Sequence, residues 1–387
     1  IGGSIFSFIY MSFGFLRMST TGFVAQAHGQ KNTTQIVQVF SRSMMVAFSV
    51  ALVLLSLQIP IGKLGVSLLG ASDAINTEAL KYFHIRIFAA PATLGLYAIM
   101  GWFIGRQDTR TPLYLALLIN IGNILFNFLL VFGLDMKSEG VAWGTLIAQY
   151  IGFTAGLFVL IKRSKTMWQN WTLIEMLEAS ELKKFFGVNR DIFIRTILLL
   201  VSLTFFTASS ARMGEEILAI NTLLFQFFLF FTYFIDGFAN AAEALVGKHI
   251  GEDKYASLKP LVYKIFTWGF FISLPFSLLY FIFGTQLMGI LTDLPHLIQS
   301  AQPYFIWIGI MPIISFAAFI WDGVYIGATE AVPMRNSMIV STLFVFFPLF
   351  FVLQPLFGNH GLWFAFIAFL LSRGIFLHLI SKKHIFK

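Results

Sequence analysis

Residues 79–105 read ALKYFHIRIFAAPATLGLYAIMGWFIG, and residues 297–326 read LIQSAQPYFIWIGIMPIISFAAFIWDGVYI. Each is long and apolar enough to cross a hydrocarbon core, which takes about 20 helical residues. The two also match each other. Tyr82-Phe83 corresponds to Tyr304-Phe305, Gly101 to Gly323, and Ile104-Gly105 to Ile326-Gly327, all at an offset of 222 residues. Gly29 and Gly251 keep the same offset, and Pro112 and Pro333 differ by 221. Agreements at one offset in equivalent helices predict a duplicated chain, a usual transporter architecture. The matched helices run in the same direction, so the repeat is parallel rather than inverted.

Working outward, the same apolar character fills the chain. Hydrophobic residues make up 58% of the 387 positions and charged residues only 11%, against about 25% charged in ordinary soluble domains. The mean hydropathy is +0.81. A soluble fold could not hide that much apolar surface, but a bilayer makes hiding unnecessary. We read eleven spans, near 1–27, 36–58, 79–105, 113–133, 139–161, 190–211, 216–247, 260–284, 297–326, 334–353 and 359–380. The fold class is an all-α membrane protein. The longest break, 162–189, is rich in Lys and Glu and reads as an amphipathic linker between an N-lobe (1–161) and a C-lobe (190–387). The C-lobe has a helix at 190–211 ahead of its long helix at 216–247, whereas the N-lobe opens inside the equivalent of the long helix. Six helices face five, so one further helix carrying an acidic residue is expected ahead of Ile1.

The cations give an orientation. Of the 26 Lys and Arg, only Lys63, Lys81, Arg86, Lys137 and Arg212 fall on one side, Arg17 lies within a run, and the other twenty share the opposite side with the linker and the C-terminus. That excess marks a cytoplasmic face. The formal net charge of +8 is therefore read as a topology signal, not as nucleic-acid binding. There are no cysteines, which excludes disulfides and thiolate metal sites. No HExxH, GxSxG, phosphate-loop or GxGxxG pattern is present, so no enzymatic chemistry or cofactor is expected. Transport would draw on an ion gradient or on the substrate's own gradient.

Ionisable groups inside spans are costly and mark function by default. Asp236, Asn240 and Glu243, at i, i+4 and i+7, share one helix face; they form either a structural network or a functional one. Asn120, Asn123 and Asn127 make a second stripe, followed by Thr145 on the next helix. Such groups can simply tie helices together, which is the reading favoured for Asn120, while both readings stay open for the other three. Asp322 is read as a lone mid-span carboxylate able to exchange a proton. Arg17 is read as a structural ion-pair partner, and His84 and Arg86 as interfacial. Pro91, Pro275 and Pro312 sit within spans and can kink them.

These residues carry a resemblance. The stretches Gly14–Gly22 (GFLRMSTTG) with Ala25-Gln26, Gly105–Pro112 (GRQDTRTP), Asn189–Asp191 (NRD), Asp236–Phe238 (DGF) with Glu243-Ala244, Asp322–Thr329 (DGVYIGAT) and Met334–Asn336 (MRN) resemble the multidrug and toxic compound extrusion family, in its DinF-like branch. The resemblance implies twelve helices in two six-helix lobes around a central cleft, and export coupled to proton or sodium entry. It implies that Asn123, Asn127 and Thr145 belong to an N-lobe cation site, sodium being one candidate occupant, and that Tyr82 lies near the N-lobe cavity. Asn127 stands where the family carries an Asp and cannot titrate, so it adds no second charge, and sodium, which gains more from paired carboxylates, is disfavoured relative to a proton. Asp322 matches a C-lobe carboxylate whose usual acidic partner is not evident in 190–211.

The leading expectation is thus a cation-coupled antiporter, monomeric, in a bacterial inner membrane, exporting cationic or neutral drugs or metabolites. The charge of the substrate is inferred from Arg17 being the one cation clearly within a span. The alternatives are a lipid-linked sugar flippase, which should line its cleft with Lys or Arg, and a membrane receptor or scaffold that transports nothing.

Overall fold

In a computed structural model, which describes residues 2–69, 73–170 and 172–386, the described elements are all helical. The chain forms two compact units, Ile1–Asn189 and Arg190–Lys387. In the first unit α1 (Gly2–Ser12) and α2 (Phe15–Gly29) are followed by α3 (Thr33–Ser56), α4 (Gln58–Leu69), α5 (Asp73–Arg86), α6 (Ala90–Gly105), α7 (Arg110–Phe128), α8 (Ser138–Ser164) and the short α9 (Leu173–Met176). Helix α10 (Ala179–Arg212) leads into the second unit, with α11 (Glu215–Gly251), α12 (Tyr255–Leu291), α13 (Pro295–Ala301), α14 (Phe305–Gly327), α15 (Ala331–Val340), α16 (Phe347–Phe357) and α17 (Asn359–His384). Among the described residues ten helical stretches are long and apolar enough to span a membrane. The first run of the sequence is divided between α1 and α2 at Phe13-Gly14. Pro91 follows a short 3-10 turn, Ile87–Ala89, that bends the α5–α6 span, whereas Pro275 and Pro312 lie inside unbroken helices.

The 222-residue repeat is a repeat of contacts. A Cβ on Gly101 would lie 2.6 Å from the Arg17 carbonyl oxygen, and one on Gly105 would lie 2.8 Å from that of Thr21. In the second unit Gly323 meets the backbone of Ala239, and Gly327 the carbonyl of Glu243. Residues 17 and 239, like 21 and 243, are themselves 222 apart. Only hydrogen at these positions lets α2 reach α6, and α11 reach α14, at backbone distance. The helix ends repeat as well. Lys31 (φ 56°), Gln107 (φ 63°), Asp253 (φ 55°) and Thr329 (φ 56°) are left-handed, and each is followed by an amide that bonds back five residues. The four closures are Asn32 to Ala27, Asp108 to Phe103, Lys254 to His249 and Glu330 to Tyr325, at 2.9–3.0 Å. This arrangement satisfies the last carbonyls of a helix.

The 162–189 break differs from the expected surface linker. Helix α10 begins at Ala179, so the end of that stretch belongs to a helix. The part around α9 is anchored, because Arg42, 1% exposed, donates to the carbonyls of Met176 (2.9 Å) and Glu175 (2.8 Å) and pairs with Glu181 at 3.4 Å. Carbonyls at the end of a short helix need a donor, and a cation counted with the loops supplies it.

Candidate functional site: a polar cavity in the first unit

The site starts from a ladder of small residues. Gly140, Gly144, Ala148, Gly152 and Gly156 recur every four residues on α8 and are all buried. Gly144 meets the backbone and side chain of Asn127, Gly152 meets Ile119, and Gly156 meets Leu115. Small residues at this spacing let two helices approach closely, which brings polar groups of α7 within reach of α8. Asn123 Nδ2 donates to Thr145 Oγ1 at 2.8 Å, Asn127 Nδ2 donates to Asn123 Oδ1 at 3.1 Å, and Thr145 Oγ1 donates to the Val141 carbonyl at 2.8 Å. The three residues that the sequence grouped therefore do meet. Asn120, on the same stripe, is exposed.

Thr145 also borders a cavity of about 420 Å³ whose lining includes Phe6 and Tyr10 of α1, Tyr82 and Arg86 of α5 and Tyr97 of α6. Tyr82 stands edge-on to Phe6 with centroids 6.3 Å apart, and the Tyr97 hydroxyl donates to the Tyr10 carbonyl at 3.2 Å. Tyr82 is thus a cavity residue. Arg86, expected at the interface from its place near a span boundary, is packed among side chains of the first unit. It is only 7% exposed, and its guanidinium lies 5.5 Å from the Phe6 centroid and 5.3 Å from that of Tyr10. A readable signal existed: Arg86 is four residues from Tyr82, hence on the same helix face.

The asparagine cluster is largely satisfied within itself. Its groups are spent on one another, and only the buried Asn127 Oδ1 has no hydrogen-bond partner.

Asp322 on α14 departs from expectation more sharply. It is not a lone carboxylate. Arg373 of α17 bonds its Oδ2 at 2.6 Å, and Arg195 of α10 bonds the same oxygen. All three are buried. Replacing Asp322 by a neutral residue would strand two buried guanidiniums, a heavy penalty. Arg195 and Arg373 had been assigned to the cytoplasmic side from their place in the sequence. With Arg86, they remove the ground for expecting cationic or neutral substrates, since Arg17 is not the one cation held within a span. Asp236 is exposed, whereas Glu243, on the same stripe of α11, is 2% exposed. Arg17 is half-buried, with its carbonyl against Gly101. Arg17, Asp236, Asn240 and Glu243 are all engaged with partners.

The GRQDTRTP stretch is a clasp between helices. Asp108 Oδ1 accepts from the Arg110 and Thr111 amides, each at 3.1 Å, and Oδ2 accepts from Thr111 Oγ1 at 2.7 Å and from Arg163 at 2.6 Å. Partial burial pushes this carboxyl up, but the Thr111 hydroxyl and amide, Arg163 and the Arg110 amide together outweigh it and hold Asp108 below the usual carboxylate range. The guanidinium of Arg106 stacks 4.4 Å from the Trp102 ring.

Two units of long apolar helices related by a repeat, one of them with an open cavity bordered by Arg86, Thr145 and three tyrosines, fit a polytopic transporter. The comparisons with known proteins agree. The MatE family model matches residues 1–129 and 192–352, and the chain belongs to that family. It is 34% identical to the DNA damage-inducible protein F of Escherichia coli (strain K12), over 99% of this chain and 83% of that protein. It is 22% identical to the probable multidrug resistance protein NorM of Thermotoga maritima, over 92% of this chain and 78% of that one. Among solved structures, an outward-facing multidrug resistance MATE family transporter is similar with a TM-score of 0.89 at 16% identity, covering 99% of this chain and 87% of that one. A Vibrio cholerae MATE transporter is similar with a TM-score of 0.86 at 19% identity, over the same shares of the two chains.

Proposed function

We propose that this transporter is a secondary antiporter that exports drugs or small organic metabolites by alternating access, driven by protons rather than sodium. The observation that carries the proposal is that Thr145, which Asn123 of the asparagine cluster bonds, borders a cavity large enough for a small ligand. Pockets of about 300–1,000 Å³ hold such ligands. The proton is favoured over sodium because Asn127 adds no second charge to the site, and sodium gains more than a proton from paired carboxylates. The Arg195–Asp322–Arg373 cluster argues for coupling outside that carboxylate. The linker side and the C-terminus lie in the cytoplasm of a bacterial inner membrane, consistent with the Lys and Arg excess. A flippase for pyrophosphate-linked sugars would need several cations around its ligand, and the N-lobe cavity presents one, Arg86.

The test uses the full-length protein in proteoliposomes and follows substrate efflux against an imposed pH gradient, then against an imposed sodium gradient. Efflux with the pH gradient alone is expected. Efflux that responds only to sodium overturns the choice of ion, and efflux that responds to neither overturns antiport.

A further inference from the structure

We propose that a pocket at the C-terminal ends of α6 and α8 binds the phosphate group of an anionic phospholipid, with Arg106 as its principal contact. The pocket has a volume of about 340 Å³ and is lined by Trp102, Phe103, Arg106, Asp108 and Arg163. It shares no lining residue with the cavity at Thr145. Two guanidiniums against one carboxylate leave its lining net positive. The carboxylate is committed to the clasp, because Asp108 accepts from the Arg110 and Thr111 amides, the Thr111 hydroxyl and Arg163. Arg106 lies over the Trp102 ring, and its buried Nε has no hydrogen-bond partner. The indole N–H of Trp102, on a side chain 1% exposed, has none either. Buried donors without acceptors are costly. A phosphate brings several acceptor oxygens and the charge that a guanidinium pairs with.

The repeat separates what the fold needs from what this pocket adds. At the offset of 222, Asp108 corresponds to Glu330, which pairs with His384 of α17 at 3.1 Å as Asp108 pairs with Arg163 of α8 at 2.6 Å. The clasp is therefore common to both units. Trp102 and Arg106 correspond to Val324 and Ala328, so the second unit closes its clasp without the two unpartnered donors. In that unit α10, the counterpart of the helix expected ahead of Ile1, meets α14 at Asp322. Asp322 corresponds to Met100, which lies about 200° around α6 from Trp102, so that helix belongs to the other face of α6. The setting favours a lipid as the source of the phosphate. The pocket stands at the end of two spans, on the side that the Lys and Arg excess assigns to the cytoplasm, where Arg110, Lys162 and Lys165 are exposed. Just ahead of Lys162 and Arg163, α8 exposes Phe158 and Ile161, surface that acyl chains can cover. Basic pockets between helices on that side suit anionic head groups.

The probes are phosphatidylglycerol and phosphatidylcholine with the same acyl chains, and inorganic phosphate. Native mass spectrometry of the detergent-purified full-length protein follows the first lipid bound. Wild type should take phosphatidylglycerol roughly tenfold more tightly than phosphatidylcholine, as one charge-assisted contact implies. Arg106→Ala, which installs the residue of the second unit, should bring the two lipids within about threefold. Arg106→Lys should keep part of the preference, since it keeps the charge and loses the fork. Lys259→Ala, at an exposed cation of the second unit, should leave it unchanged. A readout on wild type needs no variant to fold: phenylglyoxal should modify Arg106 more slowly in phosphatidylglycerol nanodiscs than in phosphatidylcholine nanodiscs, measured by peptide mass spectrometry against exposed Arg110 in the same sample. Equal affinity for the two lipids, a preference that survives in Arg106→Ala, an equal loss in Lys259→Ala, or equal modification in the two nanodiscs would each overturn the proposal. Protection of Arg106 by inorganic phosphate in detergent as strong as that by phosphatidylglycerol would assign the pocket to free phosphate and overturn the lipid.

Discussion

Replacing Asp322 by Asn removes the charge that two arginines share and keeps the shape of the side chain. Arg373 sits 2.6 Å from Oδ2, with Arg195 on the same oxygen. A unit charge pair at that separation carries about 6 kcal/mol of gross Coulomb energy at an effective dielectric constant of about 20. Desolvation offsets much of this in the native protein, but the cancellation fails once one partner is neutral. Removing one member of a buried pair costs about 3–5 kcal/mol. Two stranded guanidiniums that also repel each other place Asp322→Asn at the upper end, about 5 kcal/mol. For a unit the size of Arg190–Lys387, each kcal/mol moves the midpoint by about 2–4 °C, so melting should fall by roughly 10 °C or more. The assay is thermal unfolding of the detergent-purified protein, scored by the surviving monodisperse fraction. Arg195→Gln, which leaves the Asp322–Arg373 pair in place, should lose less than half as much. An Asp322→Asn variant that melts within about 2 °C of wild type, yet no longer exports substrate on a pH gradient, would refute the structural assignment and make Asp322 the titrating group.

Two further expectations follow from charges at or beyond the ends of the helical spans. Because the folded-state pKa of Asp108 is depressed, its stabilisation is present above the unfolded carboxylate value of about 3.9 and is lost as pH falls through the lower folded value. Asp108→Asn should therefore melt below wild type at pH 7, and the gap should close in scans taken below about pH 4; a gap that is constant with pH would contradict the clasp described here. Cysteines placed singly at Lys165 and Lys383, in a chain with no native cysteine, should resist an impermeant thiol reagent in intact cells, and ready labelling of both would reverse the orientation.

Much of the fold was legible because it depends on quantities local to the chain. Apolar runs longer than the bilayer is thick declare themselves in any window of sequence. The 222-residue repeat declared itself through glycines, and the contacts Gly101–Arg17 and Gly323–Ala239 show why those positions tolerate little else. The asparagines at 123 and 127 share a helix face by spacing alone, and the glycine ladder of α8 was there to bring Thr145 to them. The charged residues were different. Arg86, Arg195 and Arg373 were placed by proximity to span ends, and each proved to be buried. Asp322 was taken as solitary, although its partners lie 127 and 51 residues away. A sequence states where a side chain sits along its own helix, but which charge it meets is set by how separate helices pack side by side. The sequence thus determined the membrane class, the duplication and the polar stripe, while only the tertiary structure decided which charges are paired in the second unit and that Arg86 borders the same cavity as Tyr82.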